Sequence, residues 1–202
     1  MLRMPPLETS RLIIRPFHMD DLQPVHHLLD VELAAADFAT EGSMSLQERM
    51  TWLQWALLNY EQLARLYQPP YGDRAIVLKT TGQLIGACGF VPSLGPLGQL
   101  PGLAAPGASV QMSLYTPEFG LFYAVAPSFQ RQGYAAEAAR ALADYAFQDF
   151  RLQRVVATTT YHNAASIRVM QKIGMTIERN PFPEPPWFQV VGILENPTAV
   201  RS

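Results

Sequence analysis

The chain predicts a mixed α/β fold of the α+β kind, a single sheet with helices on both faces. Three observations lead there. Apolar spacing, capping residues and turn signals, read in order, give β-α-α-β-β-β-α-β-α-β-β. Of 202 residues, 49% are hydrophobic and 16% charged, which supplies a full core and does not fit disorder. The strand–helix–strand unit from Gly120 to Thr160 calls for a right-handed crossover between parallel neighbours. The length favours one domain over residues 1–202.

The elements follow in turn. Arg11-Leu12-Ile13-Ile14-Arg15-Pro16-Phe17 reads as the first strand, ended by Pro16. Asp20 and Asp21 are N-caps for a short helix to about Leu29, with Pro24 tolerated in its first turn. Ser45-Leu46-Gln47-Glu48 fits a capping box. Behind it, Trp52, Ala56, Tyr60, Leu63 and Tyr67 recur at helical spacing, predicting a helix over Leu46–Tyr67 that Pro69-Pro70 stops. Strands at Arg74–Lys79 and Gln83–Phe90 flank Thr80-Thr81-Gly82, a hairpin signal.

A Pro/Gly-rich insertion follows at about residues 92–109. Its Pro92–Gly107 part carries four glycines and four prolines, too many for a lasting strand or helix. Next come a strand over Glu118–Val125, a helix over Gly133–Phe150, a strand over Arg154–Thr160 and a helix over Ala164–Ile173. Strands at Met175–Arg179 and Trp187–Leu194 close the chain. In the Gly133–Phe150 helix, Ala135, Ala138, Leu142, Tyr145 and Ala146 form the apolar face; Glu137, Arg140, Asp144 and Gln148 face water.

A net charge of −2 calls for neither nucleic acid nor an anionic membrane. The lone Cys88 forms no internal disulfide and, inside an apolar strand, reads as a buried inert thiol. No metal-spaced His/Cys cluster occurs, so no metal is expected and a reducing cytoplasm is the natural compartment. The N-terminal residues lack a signal peptide's apolar stretch, and no apolar run is long enough to span a bilayer.

The most informative stretch is Gln130-Arg131-Gln132-Gly133-Tyr134-Ala135, between a strand and a helix. The first N–H groups of a helix lack internal partners, and the helix dipole adds positive charge there. A pyrophosphate suits that place, and a glycine lets backbone approach it closely. The stretch fits Gln/Arg-x-x-Gly-x-Gly/Ala; it is neither a Rossmann fingerprint nor a Walker loop. A second junction follows the next strand. Asn163 is a natural N-cap, Ser166 lies in the first turn, Lys172 in the last, and Gly174 is a C′ stop.

With these segments in view, the chain resembles the GNAT-superfamily N-acetyltransferases, in the branch of the ribosomal-protein N-terminal acetyltransferases (RimJ/RimL-like). Glu8-Thr9-Ser10-Arg11-Leu12-Ile13-Ile14-Arg15-Pro16, Pro127–Glu137 and Asn163–Met175 carry the likeness. It implies a mostly antiparallel sheet of about seven strands with a splayed parallel pair, and acetyl-coenzyme A as cosubstrate. Amides from Gln130, Arg131, Gln132, Gly133, Tyr134 and Ala135 would hold the pyrophosphate. Backbone of Tyr123, Ala124 and Val125 would pair with the pantetheine arm, Asn163 would bond it, and Ser166 would sit near the sulfur. Many relatives carry glycine where this chain has Arg131. At φ > 0 an arginine is strained; elsewhere it adds a cation beside the phosphates. The second is expected.

The reaction implied is direct attack of a neutral amine on the thioester. It needs proximity, a base and an N–H donor for the carbonyl oxygen, expected from backbone near Val125. Glu118 is the first candidate base. Relatives often carry glutamate on this strand, but an ungapped match puts that place at Gly120; Glu118 is two residues earlier on the same face. A surface carboxylate is the alternative reading. His162 is the second candidate, since histidine titrates in the useful range. Ser166 or Tyr161 would reprotonate the thiolate, and Tyr161 equally reads as a packing residue. Of Trp52 and Trp55, one is expected in the core and the other at the acceptor cleft. The acceptor is a protein N-terminus or small-molecule amine, and the chain a monomer or homodimer. A non-catalytic acyl-CoA-binding sensor or structural module is the alternative function.

Overall fold

The structure, a computed structural model, describes residues 3–35, 42–103 and 113–198. Residues 104–109 of the insertion therefore lie outside the described residues. The chain divides into two compact units: Met1–Phe90 with Phe122–Leu142, and Val91–Leu121 with Ala143–Ser202. Among the described residues no helix is long and apolar enough to cross a membrane.

The strands are β1 (Leu7–Glu8), β2 (Leu12–Arg15), β3 (Gly72–Leu78), β4 (Leu84–Gly95), β5 (Thr116–Val125), β6 (Arg154–Thr159), β7 (Thr176–Arg179) and β8 (Val190–Glu195). They form one sheet in the order β1-β2-β3-β4-β5-β6-β8-β7. The pairs β1–β2, β2–β3, β3–β4, β6–β8 and β7–β8 are antiparallel, and β5–β6 is parallel. The parallel ladder comes down to one register pair, Gly120↔Val156. The mixed, mostly antiparallel sheet is thus the expected one, with eight strands among the described residues instead of about seven. The extra strand, β1, has two residues, too few for a readable alternation.

In the first unit, residues 19–35 run helically through α1 (Leu22–His26), a wider π-type stretch His27–Glu32 and α2 (Leu33–Ala35), past the expected end at Leu29. α3 (Leu46–Arg65) starts as expected. Ser45 accepts from the Glu48 amide, and the Glu48 carboxylate accepts from the Ser45 amide at 2.8 Å. These helices and strands bury Phe17, Val25, Leu53, Ala75, Val77 and Ala87 together, and Trp52 packs against them edge-on to Phe17. Trp55 is 57% exposed. Cys88 is fully buried, and burial pushes its thiol well above the ordinary range, in line with an inert side chain. α4 (Tyr134–Gln148) begins in this unit.

The second unit packs Leu97, Leu100, Val156, Phe188, Val191 and Ile193 as its core. α5 (Ala164–Lys172) closes at Gly174, whose φ of 85° and amide bond to Gln171 make the turn only glycine adopts cheaply. Two expectations are corrected here. β4 continues through Pro92 to Gly95, where only a loop was expected. Its last partner on β3 is Phe90, so Pro92 falls where the strand has lost one neighbour and a missing N–H is tolerated. The final strand starts at Val190, because Pro185 and Pro186 wind Pro186–Phe188 into a 3-10 turn.

Candidate active site

The expected pyrophosphate turn lies wholly in the first unit. β5 ends at Val125, and Pro127 opens one 3-10 turn, Pro127–Phe129. The amides of Phe129 and Gln130 donate back to Ala126 and Pro127 at 2.9 and 3.2 Å. Gln130 Nε2 donates to the Val125 carbonyl at 3.0 Å, and Gln132 Nε2 to that of Ser128 at 3.2 Å. Both glutamines thus tie down their own loop. Handedness then alternates, with φ of 60° at Arg131 and 88° at Gly133, so that successive amides converge into a concave nest. Among the described residues no acceptor takes the amides of Arg131, Gly133 or Tyr134, and Ala135 lies in the first helical turn, whose amides have no partner inside the helix; the Gln132 amide closes the backbone turn through Arg131. The Gln130 and Gln132 amides are thus used within the loop, and those of Arg131, Gly133, Tyr134 and Ala135 are left over.

Arg131 corrects a second expectation. The position does require φ > 0, so the arginine is strained. A left-handed non-glycine residue costs about 1–2 kcal/mol, of which glycine's greater unfolded freedom takes back about half. Arg131→Gly is therefore expected to raise Tm by roughly 2 °C, read from a thermal melt; an unchanged or lower Tm contradicts the strain.

A carboxylate the sequence assigned to solvent holds this corner together. The Glu137 side chain, 17% exposed, accepts from Thr9 Oγ1, from Ser10 Oγ at 3.1 Å and from the Arg11 amide at 3.0 Å. Arg11 Nε donates to it at 2.7 Å, and Arg11 NH1 donates to the Gln132 carbonyl at 3.1 Å. The Arg11 guanidinium lies 4.3 Å from the centre of the Tyr134 ring. Burial works to raise the Glu137 pKa, but the bonds from Thr9, Arg11 and Ser10 outweigh it and hold the carboxyl below its usual range. Its hydroxyl and backbone donors lie 126 to 128 residues away, so no local pattern announces them. The signal in the sequence was the polar run Thr9-Ser10-Arg11, inside a segment that carries the family likeness.

In the second unit, Asn163 caps α5 as expected, its Oδ1 accepting from the Ser166 amide at 3.0 Å. The cap fixes the side-chain amide, and among the described residues Nδ2 donates to no acceptor. His162 is exposed on the turn before the helix. Tyr161 is a packing residue: its hydroxyl donates to the Asn180 carbonyl and lies 3.1 Å from that of Phe182. Glu118 is paired. Its side chain, 10% exposed, accepts from Arg154 Nε at 2.9 Å and Arg154 NH2 at 2.5 Å. This fork-to-fork pair occupies both carboxylate oxygens, which weighs against Glu118 as a base. A glutamate at position 120 has no room either. A Cβ there meets Val91 Cγ2 at 2.8 Å and the Val91 carbonyl at 2.9 Å.

The family comparison gives the class of the protein, an acetyltransferase. The chain belongs to the acetyltransferase (GNAT) family, whose domain matches residues 11–176 and so draws on both units. It is similar to the uncharacterized N-acetyltransferase YnaD of Bacillus subtilis (strain 168), 27% identical over 176 residues, or 85% of this chain and 83% of the relative. Among solved structures, the acetyltransferase from Agrobacterium tumefaciens str. C58 is 25% identical with a TM-score of 0.66, over 96% of each chain. RimL, the ribosomal L7/L12 alpha-N-protein acetyltransferase in complex with coenzyme A, is 16% identical with a TM-score of 0.58, over 92% of this chain and 93% of that one.

Proposed function

We propose that this chain is an N-acetyltransferase of the RimJ/RimL-like branch, moving an acetyl group from acetyl-CoA to a primary amine by direct attack. The acceptor is a protein N-terminus or a small-molecule amine. The carrying observation is the set of amides left over at Arg131, Gly133, Tyr134 and Ala135 at the start of α4, inside a chain of the acetyltransferase family. Those amides bind the diphosphate, with the helix dipole adding to the attraction. Backbone of Tyr123, Ala124 and Val125, at the end of β5, pairs with the pantetheine arm. Asn163 donates to the same arm through the amide end its cap leaves over.

The chemistry then rests on positioning, which alone supplies several kcal/mol by removing the need for encounter. Backbone near Val125 donates to the carbonyl oxygen, His162 takes the ammonium proton, and Ser166 lies by the departing sulfur. Glu118 serves the fold through Arg154.

A second reading, a non-catalytic acyl-CoA-binding module, draws on the pairing of Glu118 and the filled space at Gly120. Titrating acetyl-CoA into the pure protein by calorimetry tests the binding, and no heat of binding sinks both readings. Thiol release from acetyl-CoA with a panel of peptide and small amines separates them. Amine-dependent release that drops roughly 100-fold in His162→Ala supports catalysis; binding with no thiol release above background, whatever the amine, supports the module. Glu118→Gln is expected to keep kcat/KM within about threefold while costing about 1 kcal/mol of stability. A hundredfold loss in that variant restores Glu118 as the base.

A further inference from the structure

Besides the amides left over, the corner holds a polar contact that the proposed chemistry does not use. Arg11 reaches over the loop and donates to the carbonyl of Gln132. A trans peptide is planar, and its C=O and the following N–H point in opposite directions. The Gln132 carbonyl and the Gly133 amide belong to one such plane. Fixing the carbonyl on one side therefore aims the Gly133 N–H toward the other, the side the anion must occupy. Glycine makes this restraint useful. With φ of 88° and no Cβ, Gly133 offers little resistance to rotation of the plane before it.

Arg11 is itself held on three sides. Its Nε and NH2 grip Glu137 at 2.7 and 2.6 Å, its own amide donates to Glu137 at 3.0 Å, and its plane lies over the Tyr134 ring. Such a guanidinium is a fixed strut, where a lysine ammonium supplies a mobile point charge. The pair also answers an electrostatic problem. Glu137 puts a carboxylate in the first turn of the helix meant to receive a diphosphate, and a like charge so placed opposes binding. The Arg11 guanidinium neutralises it at hydrogen-bond distance.

We infer that Arg11 is a positioning residue for the diphosphate cradle, holding the Gln132–Gly133 peptide with its N–H aimed at the ligand while cancelling the Glu137 charge. This rests on the proposed acetyl-CoA reading. It assigns a task to the Thr9-Ser10-Arg11 run: Thr9 and Ser10 fix Glu137, and Glu137 fixes Arg11.

The test combines calorimetry with amide NMR on the full chain, using coenzyme A as the probe. In the wild type, coenzyme A is expected to move the Gly133 amide resonance strongly downfield. Arg11→Ala is expected to weaken coenzyme A about tenfold and to lose the Gly133 shift, with Ala135 still responding. Arg11→Lys keeps the charge without the fork and is expected to fall between. A plain loss of packing moves the melting temperature without singling out one amide. Coenzyme A affinity within twofold of wild type in Arg11→Ala, or a Gly133 shift that survives the weaker binding, overturns the inference. If Arg11→Ala does not fold, the same two readings are taken on Arg11→Lys and decide it. Wild-type protein that binds no coenzyme A at all overturns the functional reading instead.

Discussion

Asp30→Ala is expected to cost about 3–5 kcal/mol and to lower Tm by roughly 10 °C. Asp30 lies in the His27–Glu32 stretch with its side chain 1% exposed. Arg49 Nε and NH2 donate to its two oxygens at 2.8 and 2.7 Å, and the Met44 amide adds a third bond at 2.9 Å. Arg49, 7% exposed, lies over Trp52, which packs on the core. One carboxylate thus joins the first helical segment, the chain entering α3 and α3 itself. Removing it strands a guanidinium out of water, which costs more than the bonds it made. The double variant Asp30→Leu with Arg49→Met is expected to recover much of the loss, since neither charge is then left alone. Equal losses in single and double variants contradict the argument.

The same group sets a pH dependence. Burial acts to raise the Asp30 pKa, but Arg49, the Met44 amide and the His26 charge outweigh it, so the folded value is depressed. Asp21, held by Arg15 and the His18 amide against its own burial, is depressed too. A depressed carboxylate stabilises the fold above its unfolded pKa of about 4, and the stability is lost as pH falls through the lower folded value. Urea unfolding is therefore expected to be flat from pH 7 to about 5 and to weaken steeply below about 4. In Asp30→Ala the acid-side slope becomes shallower.

What the sequence disclosed and what it hid divide by distance along the chain. Ser45 with Glu48, Asn163 with Ser166, the Thr80-Thr81-Gly82 turn and the Gly174 stop are all closed within a few residues, so residue type and spacing reveal them. The turn at Gly133 is legible for the same reason: a strand, a proline and a glycine before a helix. The partnerships that decide the site are remote. Glu118 finds Arg154 36 residues on, and Glu137 finds Arg11 126 residues back. A carboxylate on a helix reads as solvent-facing until the other chain segment is in place, which is how Glu137 was assigned to water. Trp187 and Phe188 misled in another way. Aromatic residues favour strands, but the two prolines before them set the local backbone first.

Gly133→Ala is expected to lower coenzyme A affinity and kcat/KM by at least about 100-fold while costing about 1–2 kcal/mol of stability. The two losses have separate origins. At φ of 88° any Cβ strains the backbone, and that cost falls on the fold. The larger effect comes from the turn relaxing toward negative φ, which swings the amides of Gly133 and Tyr134 out of convergence. Each donor lost from an anion cradle is worth about 2.7–4 kcal/mol where charge is held away from water. Gly174 supplies the control. Its φ of 85° carries the same strain, but its amide already donates to Gln171 at the end of α5. Gly174→Ala is therefore expected to lower Tm by a similar few degrees and to leave coenzyme A affinity within twofold. If both variants lose affinity in proportion to their stability, the effect is global and the amides at the start of α4 are not the diphosphate site. If only Gly133→Ala loses affinity, the cradle is where the sequence first pointed.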